Sequence, residues 1–483
     1  MSGVFGAIGK KNCVQTVFYG TDYHSHLGTE YGGMAVLGKD GFHRRIHSIQ
    51  QSQFKSKFFE DCQHLDGTSG IGVISDCDEQ PIYLNSRFGP FCIVTTGLIE
   101  NKNELVDVLF QKGISFSEVS PGRVNVTELI AKLISLGDNL IDGIEKMFTL
   151  IEGSCSLLLL NRDGLYVARD RSGYTPLVIG TSGTAWAVAS ESCALPNLGF
   201  QTVKFVGPGE VVLLKESGPV SQTQGRDTMH ICAFLWIYTG FPASVYEGIN
   251  VETVRERCGR SLAKRDKDIE VDMVSGVPDS GVAHAIGYAM ESGKPYRRPL
   301  VKYTPGYGRS YTPPDQTTRD HIARMKLIPV REIINGQRIV VCEDSIVRGT
   351  QLKNFTLNKL WDAGAREVHV RPACPPLMFP CKYCLSTRSI DELAARRAIR
   401  ALEGEDKKDI STYLDADSTQ YQKMVDWIAR DLNVTTLRFQ RVADMVKAIG
   451  LPREKLCLHC WLGEQGHTEG KEEAQQHELG ATS

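Results

Sequence analysis

The run GQRIVVCEDSIVRGTQLKN, Gly336 to Asn354, drives an apolar strand-like stretch into two adjacent carboxylates, Glu343 and Asp344, and then into a short loop of small and hydroxyl residues. Backbone N–H groups in such a loop at a helix N-terminus cradle phosphate, because unpaired donors and the helix dipole point the same way. The SIVRGT segment fits that part. Two carboxylates just upstream would repel phosphate, but they suit the hydroxyls of a ribose attached to it and can stabilise positive charge developing at its anomeric carbon. The combination points to a phosphoribosyl group. A second chemistry lies in sulfur: Cys381 and Cys384, then Cys457 and Cys460, form two CxxC pairs. Four such thiolates suit tetrahedral zinc, although the gap between the pairs is far longer than in a zinc ribbon.

The elements that must position these groups change in texture near residue 230. Upstream, short β-like runs such as GSCSLLLLNRDGLYVARD, TAWAVASE and GEVVLL alternate with turn residues, which predicts stacked antiparallel sheets with a few helices. Downstream the order is strand, loop, helix. VDMVS leads into GVPDSG and the helical VAHAIGYAMESG; RIVVC leads into EDSIVRGT and LNKLWDAG, followed by EVHVRPA. That alternation predicts a doubly wound parallel sheet with its ligand beyond the carboxyl ends of the strands. Residues 394 to 430 are charged and helix-prone, and the end of the chain, from 466, has the composition of a disordered tail.

The chain has 483 residues, 41% hydrophobic and 23% charged, with a formal net charge of -2. This is the balance of a soluble protein of two or three domains, and it provides no global basic field for nucleic acid. No segment reaches the roughly 18 apolar residues of a membrane span, and the N-terminus lacks a secretory pattern, so a cytoplasmic protein without membrane partners is expected. Fourteen cysteines are too dilute for a disulfide scaffold and read as core thiols, metal ligands or catalytic groups. His24, His26 and His459 read as surface or satisfied core groups.

VVCEDSIVRGT resembles the phosphoribosyl pyrophosphate motif of type I phosphoribosyltransferases, in the form found in the glutamine phosphoribosylpyrophosphate amidotransferase (amidophosphoribosyltransferase) family of purine biosynthesis. The likeness includes SGVPDSGVAHAIGYA, GYGRS, ARMKL, CPPLMFPCKY and CLHCWLGE, and more weakly SGVFGAIG, ARDRSGYTPLVIG and VASESCA. It implies an α+β Ntn-hydrolase-like sandwich over 1–235, an α/β phosphoribosyltransferase domain over 236–395, a helical extension with CxxC over 396–465, and the tail 466–483. It also implies an oligomer of identical chains.

Carried over by residue, the resemblance assigns Glu343 and Asp344 to the ribose hydroxyls and bound Mg2+, with Ser280 near that metal. Ser345, Arg348, Gly349 and Thr350 match the 5′-phosphate loop. Asp279 and Ser280 match the loop facing pyrophosphate, and Lys302, Arg309 and Lys326 match basic residues around the diphosphate and on a flap. The family usually has Asp at 343 and Thr at 351, where this chain has Glu and Gln.

In the first half the departures dominate. The family's nucleophile is an N-terminal Cys with its own amine as base; here that place is Ser2. An Arg that anchors the glutamine carboxylate is replaced by Ser75, the oxyanion Asn by Thr96 with only Gly97 kept, and the Asp that grips the substrate amine by Val126. The resemblance therefore implies a degenerate glutaminase site, with ammonia or a small amine in place of glutamine; a pocket rebuilt around Ser2 for another amide is the alternative. In the iron-sulfur-containing branch a 4Fe-4S cluster is held by cysteines matching Cys232, Cys381, Cys457 and Cys460, which leaves the zinc reading of the two CxxC pairs as the competitor. For the whole chain, the alternative to an enzyme is a paralogue without turnover that binds phosphoribosyl pyrophosphate or nucleotide and regulates or pairs with the true amidotransferase.

Overall fold

The structure, a computed structural model, describes residues 2–120, 123–303, 326–384 and 389–463. The predicted Arg309, most of the predicted flap and the predicted tail lie outside the described residues. No described helix is long and apolar enough to cross a membrane.

The first half is a four-layer sandwich. Its seven-stranded antiparallel sheet runs in the order Gln201–Phe205, Val178–Thr181, Ala185–Ala189, Gly3–Gly9, Ser69–Ser75, Tyr31–Gly38, Gly41–Ser48. The six-stranded sheet runs Gly218–Ser221, Val211–Lys215, Gly164–Ala168, Gly153–Asn161, Gly89–Ile99, Ile82–Ser86. Alternation along the strands builds the layers, because successive side chains point to opposite faces. Val4 and Ile8 face Leu158 and Leu160 between the sheets. Phe5 and Ala7, one step along, face Val14, Val17 and Phe18 on the helix Val14–Asp22 outside. Leu157 and Leu159 face the opposite outer layer, with Ile130 and Ile134 of the helix Val126–Ile134 and Ile144 of Leu140–Leu150.

The second half contains the predicted parallel sheet, ordered Met273–Gly276, Arg338–Glu343, Glu367–Pro372, Thr436–Leu437. It is buried on both faces, which explains the unbroken apolar run RIVVC. Val340 and Cys342 pack under the helices Val251–Lys264 and Val282–Ser292. Ile339 and Val341 pack under Ala394–Glu403 and Thr419–Leu432. Two consequences of the chain path reach the sites. The last strand of this sheet, Thr436–Leu437, lies just beyond the charged helical stretch, and Leu456–Cys457 pairs in parallel with Ile231–Cys232, setting Cys457 opposite Cys232.

Candidate functional sites

Strand Arg338–Glu343 delivers Glu343 and Asp344 to the carboxyl edge of the parallel sheet, where both are buried. The neighbouring strand ends in the loop carrying Asp279 and Ser280, and the Ser280 hydroxyl donates to Glu343 Oε1 at 2.9 Å. The Asp344 N–H donates to the same oxygen at 3.0 Å, and the Ser345 hydroxyl donates to Asp344 Oδ1 at 2.6 Å. Burial, and then the adjacent Asp344 carboxylate, push Glu343 well above the usual carboxylate range. Two acids so close in a dry setting call for a cation or for donor hydroxyls.

Behind the acids lies a basic counterweight that the sequence did not reveal. Arg255, almost fully buried, donates to the carbonyls of Trp236, Tyr238 and Gly240; burial lowers its guanidinium, against the raising influence of Asp344. His284 lies between the Arg255 and Ile237 carbonyls, at 3.0 and 3.2 Å. Burial and the Arg255 charge lower it to about 4.

The loop predicted to take the 5′-phosphate follows the acids directly. Gly349 has φ 76°, a left-handed conformation that a Cβ disfavours, and its carbonyl accepts from the Lys353 N–H at 2.9 Å as the chain turns into Thr350–Leu352. Arg348 is exposed and pairs with Glu392. The Val347 carbonyl accepts from the Ala394 N–H at 2.7 Å, fastening the loop to the helical extension. Lys302 Nζ donates to Asp279 Oδ2 at 2.6 Å. Lys302 lies on Leu300–Lys302, which pairs with Leu327–Pro329, so Lys302 and Lys326 stand at the base of the same hairpin. The structure links Lys302 to Asp279, Ser280 to Glu343 and Ser345 to Asp344 at this edge of the sheet, whereas Arg348 turns to Glu392, Gly349 and Thr350 lie where the chain enters the next helix, and the Lys326 carbonyl accepts from the Tyr303 N–H beside Lys302.

The residues predicted for the N-terminal site also meet, but as packed groups. Ser2 is 7% exposed, and its hydroxyl accepts from the Asp76 N–H at 3.4 Å. The Thr96 hydroxyl donates to the Ser2 carbonyl at 2.5 Å. Ser75 is fully buried and accepts from the N–H groups of Cys77 and Asp78, at 3.4 and 3.2 Å, and from Gln80 Nε2 at 3.5 Å. Gly97 has φ 140°, and a Cβ there would meet the Ser154 carbonyl oxygen at 2.0 Å. Val126 opens its helix one residue after the Asn125 cap, which accepts from the Thr127 and Glu128 N–H groups.

Sequence reasoning missed Asp78 in this cluster. Its Oδ2 accepts from the Val126 N–H at 3.2 Å, and Arg123 lies 3.6 Å away. Burial raises its carboxyl despite that arginine. The acidic turn DCDE directly after a buried strand was the available signal.

Five thiols form the third cluster. Cys232 and Cys457 face each other across the parallel pair. The Cys384 thiol donates to Cys381 Sγ at 3.6 Å, and the Met378 and Phe379 N–H groups donate to the Cys460 carbonyl, drawing the second CxxC against the first. Burial, with neighbouring thiols adding to it, raises Cys232 and Cys457; a hydrogen bond with Cys381 lowers Cys460, but burial and the other thiols leave it raised. Tyr174, contributed by the first half and fully buried, sets its hydroxyl 3.3 Å from Cys381 Sγ. Among the described residues, no three His, Cys, Asp or Glu side chains are arranged around a common metal position. The donor set is nonetheless thiol-rich, dry and free of carboxylates, which suits a soft metal centre.

His24, His26 and His459 are not brought into these sites as ligands. His24 is buried against Gly20 and Glu191, and His26 pairs with Glu191 at 2.9 Å. His459 is buried, with its ring beside Phe379.

Comparison with known proteins agrees with this geometry. Residues 69–197 match the model of the family described as glutamine amidotransferase domain. An amidophosphoribosyltransferase of Methanocaldococcus jannaschii is 31% identical over 495 residues, covering 96% of this chain and 97% of its own. One from Bacillus subtilis is 31% identical over 477 residues, covering 95% and 93%. A solved structure of the Bacillus subtilis glutamine phosphoribosylpyrophosphate amidotransferase, complexed with ADP and GMP, superposes with a TM-score of 0.81 at 30% identity over 97% of this chain and 98% of that one. With an Ntn-type sandwich, a phosphoribosyltransferase sheet and near full-length likeness to these enzymes, this chain belongs to the amidophosphoribosyltransferase family of purine biosynthesis.

Proposed function

We propose that the chain transfers a nitrogen nucleophile to phosphoribosyl pyrophosphate with release of pyrophosphate, and that this nucleophile is ammonia or a small amine rather than the amide of glutamine. The observation that carries the first clause is the buried pair Glu343 and Asp344, held by Ser280 and Ser345 beside the phosphate loop. In this reading the loop from Ser345 to Thr350 receives the 5′-phosphate and the two carboxylates accept hydrogen bonds from the ribose hydroxyls. As the bond from the anomeric carbon to the diphosphate oxygen breaks and the bond to nitrogen forms, the same carboxylates stabilise the positive charge on that carbon. Lys302 exchanges Asp279 for the diphosphate, with Lys326 and Arg309 as further counter-charges. Ser280, Glu343 and Asp344 would hold Mg2+, which when bound neutralises the departing diphosphate.

The second clause goes against the relatives, whose names include the glutamine-using enzyme. It is supported by the N-terminal cluster. Ser2, Ser75 and Thr96 are buried and hydrogen-bonded to backbone groups of other residues in the cluster, Asp76, Asp78 and Ser2 respectively. An oxyanion hole and a carboxylate clamp need donors aimed at an incoming substrate, and Val126 supplies no charge for the substrate amine. Removing one oxyanion donor alone typically costs about 100- to 1000-fold. We assign the four cysteines Cys232, Cys381, Cys457 and Cys460 to a 4Fe-4S cluster, with zinc on the two CxxC pairs as the alternative, and we expect identical chains to associate. The test of function is pyrophosphate release from phosphoribosyl pyrophosphate and magnesium, compared with glutamine, ammonia and a panel of small amines. Release with ammonia or an amine and not with glutamine is expected. Binding without any release favours the non-catalytic regulator.

A further inference from the structure

Four thiolates complete a 4Fe-4S cluster, yet five cysteines meet here, and Cys384 is the one left over. It does not behave as a bystander. Cys384 is 5% exposed, more deeply buried than Cys381, and its thiol donates to Cys381 Sγ at 3.6 Å. The Tyr174 hydroxyl reaches both sulfurs, at 3.3 Å from Cys381 and 4.0 Å from Cys384. Two thiolates on one tetrahedral metal at about 2.3 Å stand about 3.8 Å apart, so the Cys381 and Cys384 sulfurs are spaced to address one metal atom. Each iron of a four-cysteine cluster takes one protein thiolate. The two sulfurs therefore compete for the same iron.

We propose that Cys384 is an alternative ligand to Cys381, the two exchanging at one iron of a cluster otherwise held by Cys232, Cys457 and Cys460. The inference rests on the cluster reading above. In the exchange, one iron–sulfur bond forms as the incoming thiol gives up its proton, and another breaks as the departing thiolate takes one up; no electron moves. Tyr174, in hydrogen-bond reach of both sulfurs, is placed to bond whichever is released.

The test is iron and acid-labile sulfide content of the full chain purified and reconstituted without oxygen. Cys381→Ser and Cys384→Ser are each expected to retain the cluster, and the double variant to fall to the metal-free level of Cys457→Ser. Iron lost from Cys381→Ser as completely as from Cys457→Ser overturns the exchange and leaves the cluster reading standing. A wild-type chain holding zinc and no iron overturns both. Because Cys381→Ser can fail by misfolding, a second measurement uses Cys384→Ser, which keeps the family's four ligands. The electron paramagnetic resonance spectrum of the reduced wild-type cluster is expected to contain two components that collapse to one in Cys384→Ser. A single, identical signal in both overturns the proposal.

Discussion

The two halves of the molecule carry polar clusters of similar size in opposite electrostatic conditions. At the phosphoribosyl site, Glu343 and Asp344 are buried side by side, and Glu343 is pushed up by burial and by its neighbour. At the N-terminal site, the hydroxyls of Ser2, Ser75 and Thr96 are engaged with nearby backbone groups. A binding site for charged ligand keeps polar groups under tension until the ligand arrives, whereas a scaffold satisfies its polar groups internally. Asp78 is the exception in the N-terminal cluster, its carboxyl raised by burial, so the contrast rests on the hydroxyls and on the paired acids; it accords with the proposal of a transferase half joined to a glutaminase-derived half that serves as structure.

The largest effect that would test the contrast lies in the transferase half. Asp344→Asn keeps the size of the side chain and removes its charge, so the fold should persist while pyrophosphate release drops by about 100- to 1000-fold, the loss typical of one preorganised charge-stabilising group. An unchanged rate would remove Asp344 from the site and weaken the division between the halves.

A smaller effect tests how the first half holds one of its buried titratable groups. His24 is fully buried; its Nδ1 lies 2.8 Å from the Gly20 carbonyl, and its Nε2 accepts from the Glu191 N–H at 3.1 Å. The neutral ring with the proton on Nδ1 meets both partners, and the charged ring cannot. Burial lowers the group from 6.5 to about 4, against the raising influence of the Glu191 carboxylate. Between those values the unfolded chain binds more protons than the folded one, so stability rises with pH from about 4 to 6.5 and is lost as pH falls through that window. At 1.36 kcal/mol per pKa unit the contribution is about 3 kcal/mol. Denaturant unfolding of wild type and His24→Asn across this range should show a shallower acid slope in the variant; equal slopes would show that His24 does not set the acid limit.

How much of this was visible in the sequence follows from the range of each interaction. The apolar run RIVVC, the loop SIVRGT and the helix Val282–Ser292 are local patterns, and they put the acids and the loop after them at the carboxyl edge of the sheet, where the structure has them. Arg255 and His284 behind the acids, and Tyr174 among the cysteines, were invisible because they come from distant segments whose meeting depends on tertiary packing. The pairing of Leu456–Cys457 with Ile231–Cys232 joins residues more than two hundred positions apart, and two-residue strands carry no periodicity. The same holds for Thr436–Leu437, whose charged, helix-prone surroundings concealed a strand. At the N-terminal site, residue identity showed where the chain departs from the family pattern, but only packing showed that Asp78 lies beside Val126.

The smallest expected effect is the most discriminating. Restoring the thiol with Ser2→Cys should produce no glutamate from glutamine, even with phosphoribosyl pyrophosphate present. A thiol is partly thiolate near neutral pH and far more nucleophilic than a serine hydroxyl, so a deficit confined to the nucleophile would be repaired by this change. The deficit is not confined there. Thr96 directs its hydroxyl to the Ser2 carbonyl, Ser75 is enclosed by the 77–80 turn, and Val126 offers no charge. Groups that act as a unit in catalysis contribute non-additively, so one restored member recovers little while the others are absent. Glutamate release by Ser2→Cys would show that the pocket still binds glutamine and that only the nucleophile was lost. Glutamate release by the wild-type chain, abolished by Ser2→Ala, would go further and show a serine nucleophile at work, placing both halves in the same catalytic state and dissolving the contrast between them.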